Sequence, residues 1–273
     1  EIKKITFLPL QFLNFLTIIK QGDFMFTDTH CHVFKEYYNN IDSIINNAKE
    51  NKIFQIINNG CNHKSNLEVL DLITRYPNMY GAIGIHPEEV DNYNPEELKF
   101  IEDNLNNPKI VAIGEIGLDY HYTKENKQAQ IELFESQLSL AEKYHKPVII
   151  HSRDATEDTI NILKKHKVTG VIHSFSGSLE TANIYIKMGF LLGINGVITF
   201  KNSKLKEVIK EIDLKNIILE TDSPYLSPEP FRGKCNEPAN IFVIAEFISH
   251  LKNTNLAKLA LITNQNIKRI FDI

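Results

Sequence analysis

Eight short apolar runs rich in β-branched residues repeat from Met25 to the C-terminus, with amphipathic stretches between them. The runs occupy 25–32, 53–60, 79–86, 110–117, 147–152, 169–175, 190–196 and 217–222, and Gly, Pro, Asn and Asp bound them. Helical spacing is clearest over 127–146 and 156–166, and it recurs over 203–212, 237–251 and 255–271. Alternating strands and helices make βαβ units on a parallel sheet. Eight such units in 273 residues predict an α/β fold, a single TIM-like (β/α)8 barrel. No Gly-x-Gly-x-x-Gly turn follows the first run, which argues against an open doubly wound sheet. No low-complexity linker interrupts 25–273, so that stretch reads as one domain.

Five of the runs finish on a side chain that binds metals well. They are Phe26-Thr27-Asp28-Thr29-His30-Cys31-His32, Ile113-Gly114-Glu115, Val148-Ile149-Ile150-His151, Gly170-Val171-Ile172-His173 and Ile217-Ile218-Leu219-Glu220-Thr221-Asp222. An isolated charge in a buried strand is costly unless it is paired or coordinated. Five such violations at the same end of their strands point to one shared site, and barrels carry their active sites at the C-terminal ends of the strands.

His30 and His32 are two apart, so both rings project to one face while Cys31 points to the other. With Glu115, His151, His173 and Asp222 they make four imidazoles and two carboxylates, more than one tetrahedral zinc needs. The set suits two divalent cations about 3.5–4 Å apart with a bridging carboxylate. Glu115 is the natural bridge, with His30, His32 and Asp222 on one ion and His151 and His173 on the other. Mixed nitrogen and oxygen donors admit Mg²⁺, Mn²⁺, Zn²⁺ or Fe²⁺. Such a centre hydrolyses a phosphodiester, ester or amide, with Asp222 as the general base. The bland alternative for Asp222 is a loop cap on Ser223-Pro224-Tyr225.

His86, Arg153 and Arg232 are candidate substrate contacts. His86 ends the third run, Arg153 shares a face with His151, and Arg232 lies in the loop after the eighth run, where barrels often hold phosphate. A loop-fixing hydrogen bond is the alternative for each. Asp28 is a candidate partner for a ligand imidazole, Asp119 for the loop after Glu115, and Ser174 and Ser176 are candidate donors. His63, His121, His145, His166 and His250 read as surface residues.

The net charge of −4 and pI near 6.2 announce no basic nucleic-acid surface. Cys31, Cys61 and Cys235 are far apart and form neither a disulfide framework nor a zinc knuckle, so a reducing cytoplasm is expected. Residues 1–24 begin like a signal peptide, but Pro9, Gln11 and Asn14 break the apolar run and no A-x-A-like cleavage site follows. The run is also too short and polar to span a bilayer. Lys20-Gln21-Gly22-Asp23-Phe24-Met25 is encodable as a purine-rich ribosome-binding sequence ahead of an ATG. Residues 1–24 are therefore expected to be a translated leader before a true start at Met25.

The chain resembles the TatD family of metal-dependent deoxyribonucleases and hydrolases over nearly all of 25–273. Beside the motifs above, the likeness rests on Gly84-Ile85-His86-Pro87, Gly114-Glu115-Ile116-Gly117-Leu118-Asp119-Tyr120, His151-Ser152-Arg153-Asp154-Ala155 and His173-Ser174-Phe175-Ser176-Gly177. It continues through Thr221-Asp222-Ser223-Pro224-Tyr225-Leu226, Pro230-Phe231-Arg232-Gly233-Lys234 and Asn236-Glu237-Pro238. The resemblance implies a TIM-like barrel, a divalent-metal requirement and hydrolysis of DNA, often as a 3′→5′ exonuclease. It carries ligand roles to His30, His32, Glu115, His151, His173 and Asp222. Val33-Phe34, His121 and Ser174 depart from the usual pattern, and the first two bear on the rim. The expected partner is DNA, single-stranded or at a 3′ end, with no membrane and a monomeric enzyme. The competing functions are hydrolysis of an aminoacyl-tRNA or other non-DNA ester and a non-catalytic scaffold. A cyclic amidohydrolase fits less well, because Glu115 stands where that branch carries a carboxylated lysine.

Overall fold

The structure is a computed structural model that describes residues 24–121 and 125–273. The proposed leader, 1–24, lies outside the described residues except for Phe24. The eight strands form one parallel sheet in sequence order: β1 (Phe26–Cys31), β2 (Ile53–Asn59), β3 (Met79–Ile83), β4 (Ile110–Asp119), β5 (Val148–Arg153), β6 (Gly170–Ile172), β7 (Phe190–Ile194) and β8 (Ile217–Leu219). Hydrogen bonds from His32 N to Ser223 O (2.7 Å) and from Asp222 N to His30 O (2.9 Å) join the end of β8 to β1 and bring the sheet round into a nearly closed barrel.

Between the strands run α1 (Ile41–Glu50), α2 (His63–Arg75), α3 (Glu96–Asn104), α4 (Lys127–Tyr144), α5 (Thr156–Leu163), α6 (Leu179–Lys187) and α7 (Leu205–Glu211), followed by α8 (Ile241–Leu251) and α9 (Leu256–Phe271). Polar side chains start several of them. Asn40, Asn62, Ser178 and Asn255 each accept a backbone N–H of the first turn, which satisfies a donor that the helix itself leaves unpaired. Among the described residues no helix is long and apolar enough to cross a membrane.

Strand periodicity divides the core. Outward residues such as Ile56, Ile113, Ile150 and Leu192 join the helices in one large cluster. Inward residues Ile57, Ala82, Val111, Ile149, Val171, Leu191 and Ile218 make a second cluster, which Ile267 and Phe271 of α9 close from one end. A strand shows the same face every second residue. Ile149 therefore leads to His151, Val171 to His173, and Ile218 to Glu220 and Asp222. The barrel interior passes from apolar to polar within two to four residues at the end of each of these strands.

Candidate metal centre

Glu115 is at the centre of the polar end. Its Oε2 lies 3.3 Å from His30 Nε2 and 3.6 Å from His32 Nε2. Its Oε1 lies 2.8 Å from His151 Nδ1 and 3.6 Å from both His173 Nε2 and His86 Nε2. Each carboxylate oxygen thus faces a different group of nitrogens. Pairing between β4 and β5 shifts by one residue between Ile113 and Ile116, a bulge of the kind that re-aims side chains beside active sites. Asp222 Oδ1 closes the cluster at 3.5–3.8 Å from His32, His30 and His173 Nε2. Its left-handed backbone (φ 56°) is one that Asp tolerates better than most residues.

The outer nitrogens explain how the rings are aimed. His32 Nδ1 donates to Asn59 O at 2.9 Å, which leaves the Nε2 lone pair facing the centre. His151 Nε2 meets Asp119 Oδ2 at 2.9 Å and turns Nδ1 inward. His173 Nδ1 lies 3.0 Å from Glu220 Oε1, so its Nε2 faces inward. Carboxylate or carbonyl partners of this kind set the tautomer and basicity of metal-binding histidines. Gly193 makes room for Glu220, because a Cβ there would stand 2.2 Å from Glu220 Oε2.

The donors fit cations. His30 and His32 bring their Nε2 atoms within 3.2 Å of each other, and the rings of His30 and His173 stack 3.7 Å apart. Converging lone pairs repel unless a proton or a cation lies between them. Three groups have ligand atoms mutually within 4.8 Å: His30, His32 and Glu115; His30, His173 and Asp222; and His86, Glu115 and His151. Protons compete with a cation for the ring nitrogens. Burial works to lower His173 and His151, but Glu220, Glu115 and Asp222 lift His173 to about 10, and Asp119 and Glu115 lift His151 to about 9. Burial and the neighbouring His173 lower His30. Burial works to raise Glu115, yet the surrounding imidazoles hold it well below the usual carboxylate range.

A cavity of about 770 Å³ opens above the cluster, lined in part by His32, His86, Glu115, His151, Arg153, His173 and Asp222. His86, expected from sequence at the substrate, stands close enough to Glu115 and His151 to act as a donor with them. Arg153 reaches the cavity wall. Arg232 is elsewhere: its guanidinium stacks 3.8 Å from the Phe200 ring in a separate cleft with Lys201, Asn202 and Glu229. Asp28 accepts from Thr221 N and Oγ1 and from His30 N, not from an imidazole, and so ties β1 to the end of β8. Asp119 serves both its ring and its loop, since Oδ1 accepts His121 N. Four of the histidines read as surface are exposed, while His166 is half-buried against Glu142. Sequence reasoning passed over Cys61, whose Sγ lies 3.8 Å from His32 Nδ1 and from Glu115 Oε2, and Tyr37 on the rim.

Comparison with known proteins agrees with this geometry. The family model described as "TatD related DNase" matches residues 27–272. A Bacillus subtilis protein described as the uncharacterized metal-dependent hydrolase YabD is 42% identical over 254 residues, covering 91% of this chain and all of that protein. The uncharacterized metal-dependent hydrolase YcfH of Escherichia coli K12 is 34% identical, covering 90% and 95%. The crystal structure of YjjV, a TatD homologue from Escherichia coli K12, aligns with a TM-score of 0.85 at 30% identity, covering 91% of this chain and 98% of that one. With these matches running nearly end to end, the chain belongs to the TatD family of metal-dependent hydrolases.

Proposed function

We propose that the chain is a deoxyribonuclease of the 3′→5′ exonuclease type, cleaving phosphodiester bonds with two divalent cations at the polar end of the barrel. The observation that carries this reading is Glu115, with one oxygen toward His30 and His32 and the other toward His151 and His173. When bound, the cations supply Lewis acidity, lower the pKa of a water and offset charge on the attacking and leaving oxygens. Glu115, sealed beneath the cavity with its side chain 4% exposed, would hold both cations, whereas Asp222 is 13% exposed and faces the cavity. Asp222 is therefore the general base and takes the proton of the attacking water. Arg153 on the wall orients the phosphate through paired N–H donors. The match to a family of TatD related DNases supports the choice of phosphodiester, and the three free cysteines support a reducing cytoplasm.

One observation favours a second reading. Glu36, Glu68, Glu88 and Glu89 line one side of the cavity, a setting that suits the ammonium group of an aminoacyl ester. The test is hydrolysis of single-stranded DNA, duplex DNA and aminoacyl-tRNA with Mg²⁺, Mn²⁺ and Zn²⁺ compared. Stepwise loss of 3′-terminal nucleotides from single strands supports the first reading. Release of amino acid from tRNA with DNA left intact supports the second, and a metal-loaded protein inert on all three favours a scaffold.

A further inference from the structure

Two tyrosines stand together on the cavity rim. Tyr37, in the loop after β1, is 39% exposed, and Tyr225, in the loop after β8, is 50% exposed. The Tyr225 hydroxyl donates to the Tyr37 hydroxyl at 3.1 Å, and the rings meet edge to face with centroids 5.9 Å apart. Tyr225 also lies 6.3 Å from the His32 ring, so the pair adjoins the donor cluster. Neighbouring Tyr38 shows the contrast: it is buried and bonded to Asn236 O. Aromatic rings usually bury their apolar area. This pair is instead held by its own hydrogen bond with ring surface open to the cavity.

The charges around the pair say what it takes. Glu36 immediately precedes Tyr37 and is paired with Lys64 at 2.7 Å, and Glu68 and Glu88 also line the cavity. With Glu36 offset by Lys64 and the remaining carboxylates nearby, this part of the rim suits a neutral, flat, polarisable group better than a phosphate. Arg153 ends β5, the strand diametrically opposite β1 in the strand order, and offers the cationic side. Arg153 thus suits the phosphate backbone of a strand, and the tyrosines on the opposite side suit a base.

We propose that Tyr37 and Tyr225 form a stacking platform for the nucleobase next to the scissile phosphate, so that the enzyme selects ends whose terminal base is unpaired. This rests on the phosphodiesterase reading. Each base stacked on an aromatic side chain typically adds about tenfold or more to binding. The test compares kcat/KM on two single-stranded oligonucleotides, one with an intact terminal base and one abasic at that nucleotide. Wild type is expected to prefer the base-bearing end about tenfold. Tyr37→Ala and Tyr225→Ala are expected to collapse that ratio toward one, chiefly through KM, while Tyr37→Phe keeps most of it. A 2-aminopurine at the terminal position is expected to lose fluorescence on binding wild type and not on binding the alanine variants. An unchanged base-to-abasic ratio in both alanine variants overturns the platform, as does an equal loss on the two substrates. A wild type that cleaves neither oligonucleotide overturns the phosphodiesterase reading and the platform with it.

Discussion

The two ends of the barrel interior are built from the same strands yet obey opposite rules. At one end Ile149, Val171 and Ile218 pack with Ile267 and Phe271 of α9 into an apolar plug. Two to four residues further along, the same face carries His151, His173, Glu220 and Asp222. The plug is held by burial and packing, and nothing titratable needs to be satisfied. The polar end is held by interlocking partners, with His32, His151 and His173 each aimed by an outer carboxylate or carbonyl. Stability and chemistry are therefore separated along each strand, and a substitution at one end should leave the other's property intact.

The hardest strike on the polar end is Asp222→Asn. Asn tolerates the left-handed backbone at this position, so the fold should survive, with circular dichroism and Tm near wild type. Turnover should fall about 10²–10⁴-fold. Activity near wild type would remove Asp222 as the base. The mirror experiment is Phe271→Ala in the plug, which should cost about 3–5 kcal/mol in denaturant unfolding. Below the new Tm its kcat should match wild type; a loss of kcat would show that the two ends are coupled.

Smaller effects refine how the polar end is held. Glu220→Gln removes the carboxylate beside His173 and should weaken metal binding about 10–100-fold. It should also move the pH dependence of binding downward, a change that a purely structural defect would not produce. The pH dependence itself has a definite sign. His151 and His173 must lose protons to ligate, so metal affinity should rise with pH and level off past about 9–10. Stability of the chelated protein should run the other way. Imidazoles raised above their unfolded value of 6.5 stabilise fully below pH 6.5, and that contribution is lost as pH rises through 9–10. A chelated protein whose Tm is flat over that range would contradict the assignment of charge.

Much of the polar end was legible in sequence, because a ligand at the end of an apolar run is a local signal. His30, His32, Glu115, His151, His173 and Asp222 were each readable in this way. The barrel followed from period and order alone. What stayed hidden depends on contacts between distant segments. His86 follows β3 by three residues, but a lone His before Pro does not disclose that Glu115 lies 3.6 Å away. Asp119 reaches His151 because β4 and β5 pair in a bulged register that no single segment encodes. Tyr37 and Tyr225 meet only because the barrel brings β8 back to β1. Arg232 shows the converse: its loop suggests phosphate, yet the side chain stacks on Phe200 in another cleft.

In the proposed reading Glu115 joins two groups of donors into one dinuclear centre. Metal content per chain, measured by native mass spectrometry on wild type and Glu115→Ala after reloading with Mn²⁺ or Zn²⁺, tests it most directly. Two ions per wild-type chain are expected, and one or none in the variant, with the fold retained. A single ion in wild type with all six donors intact, or two ions in Glu115→Ala, would contradict it.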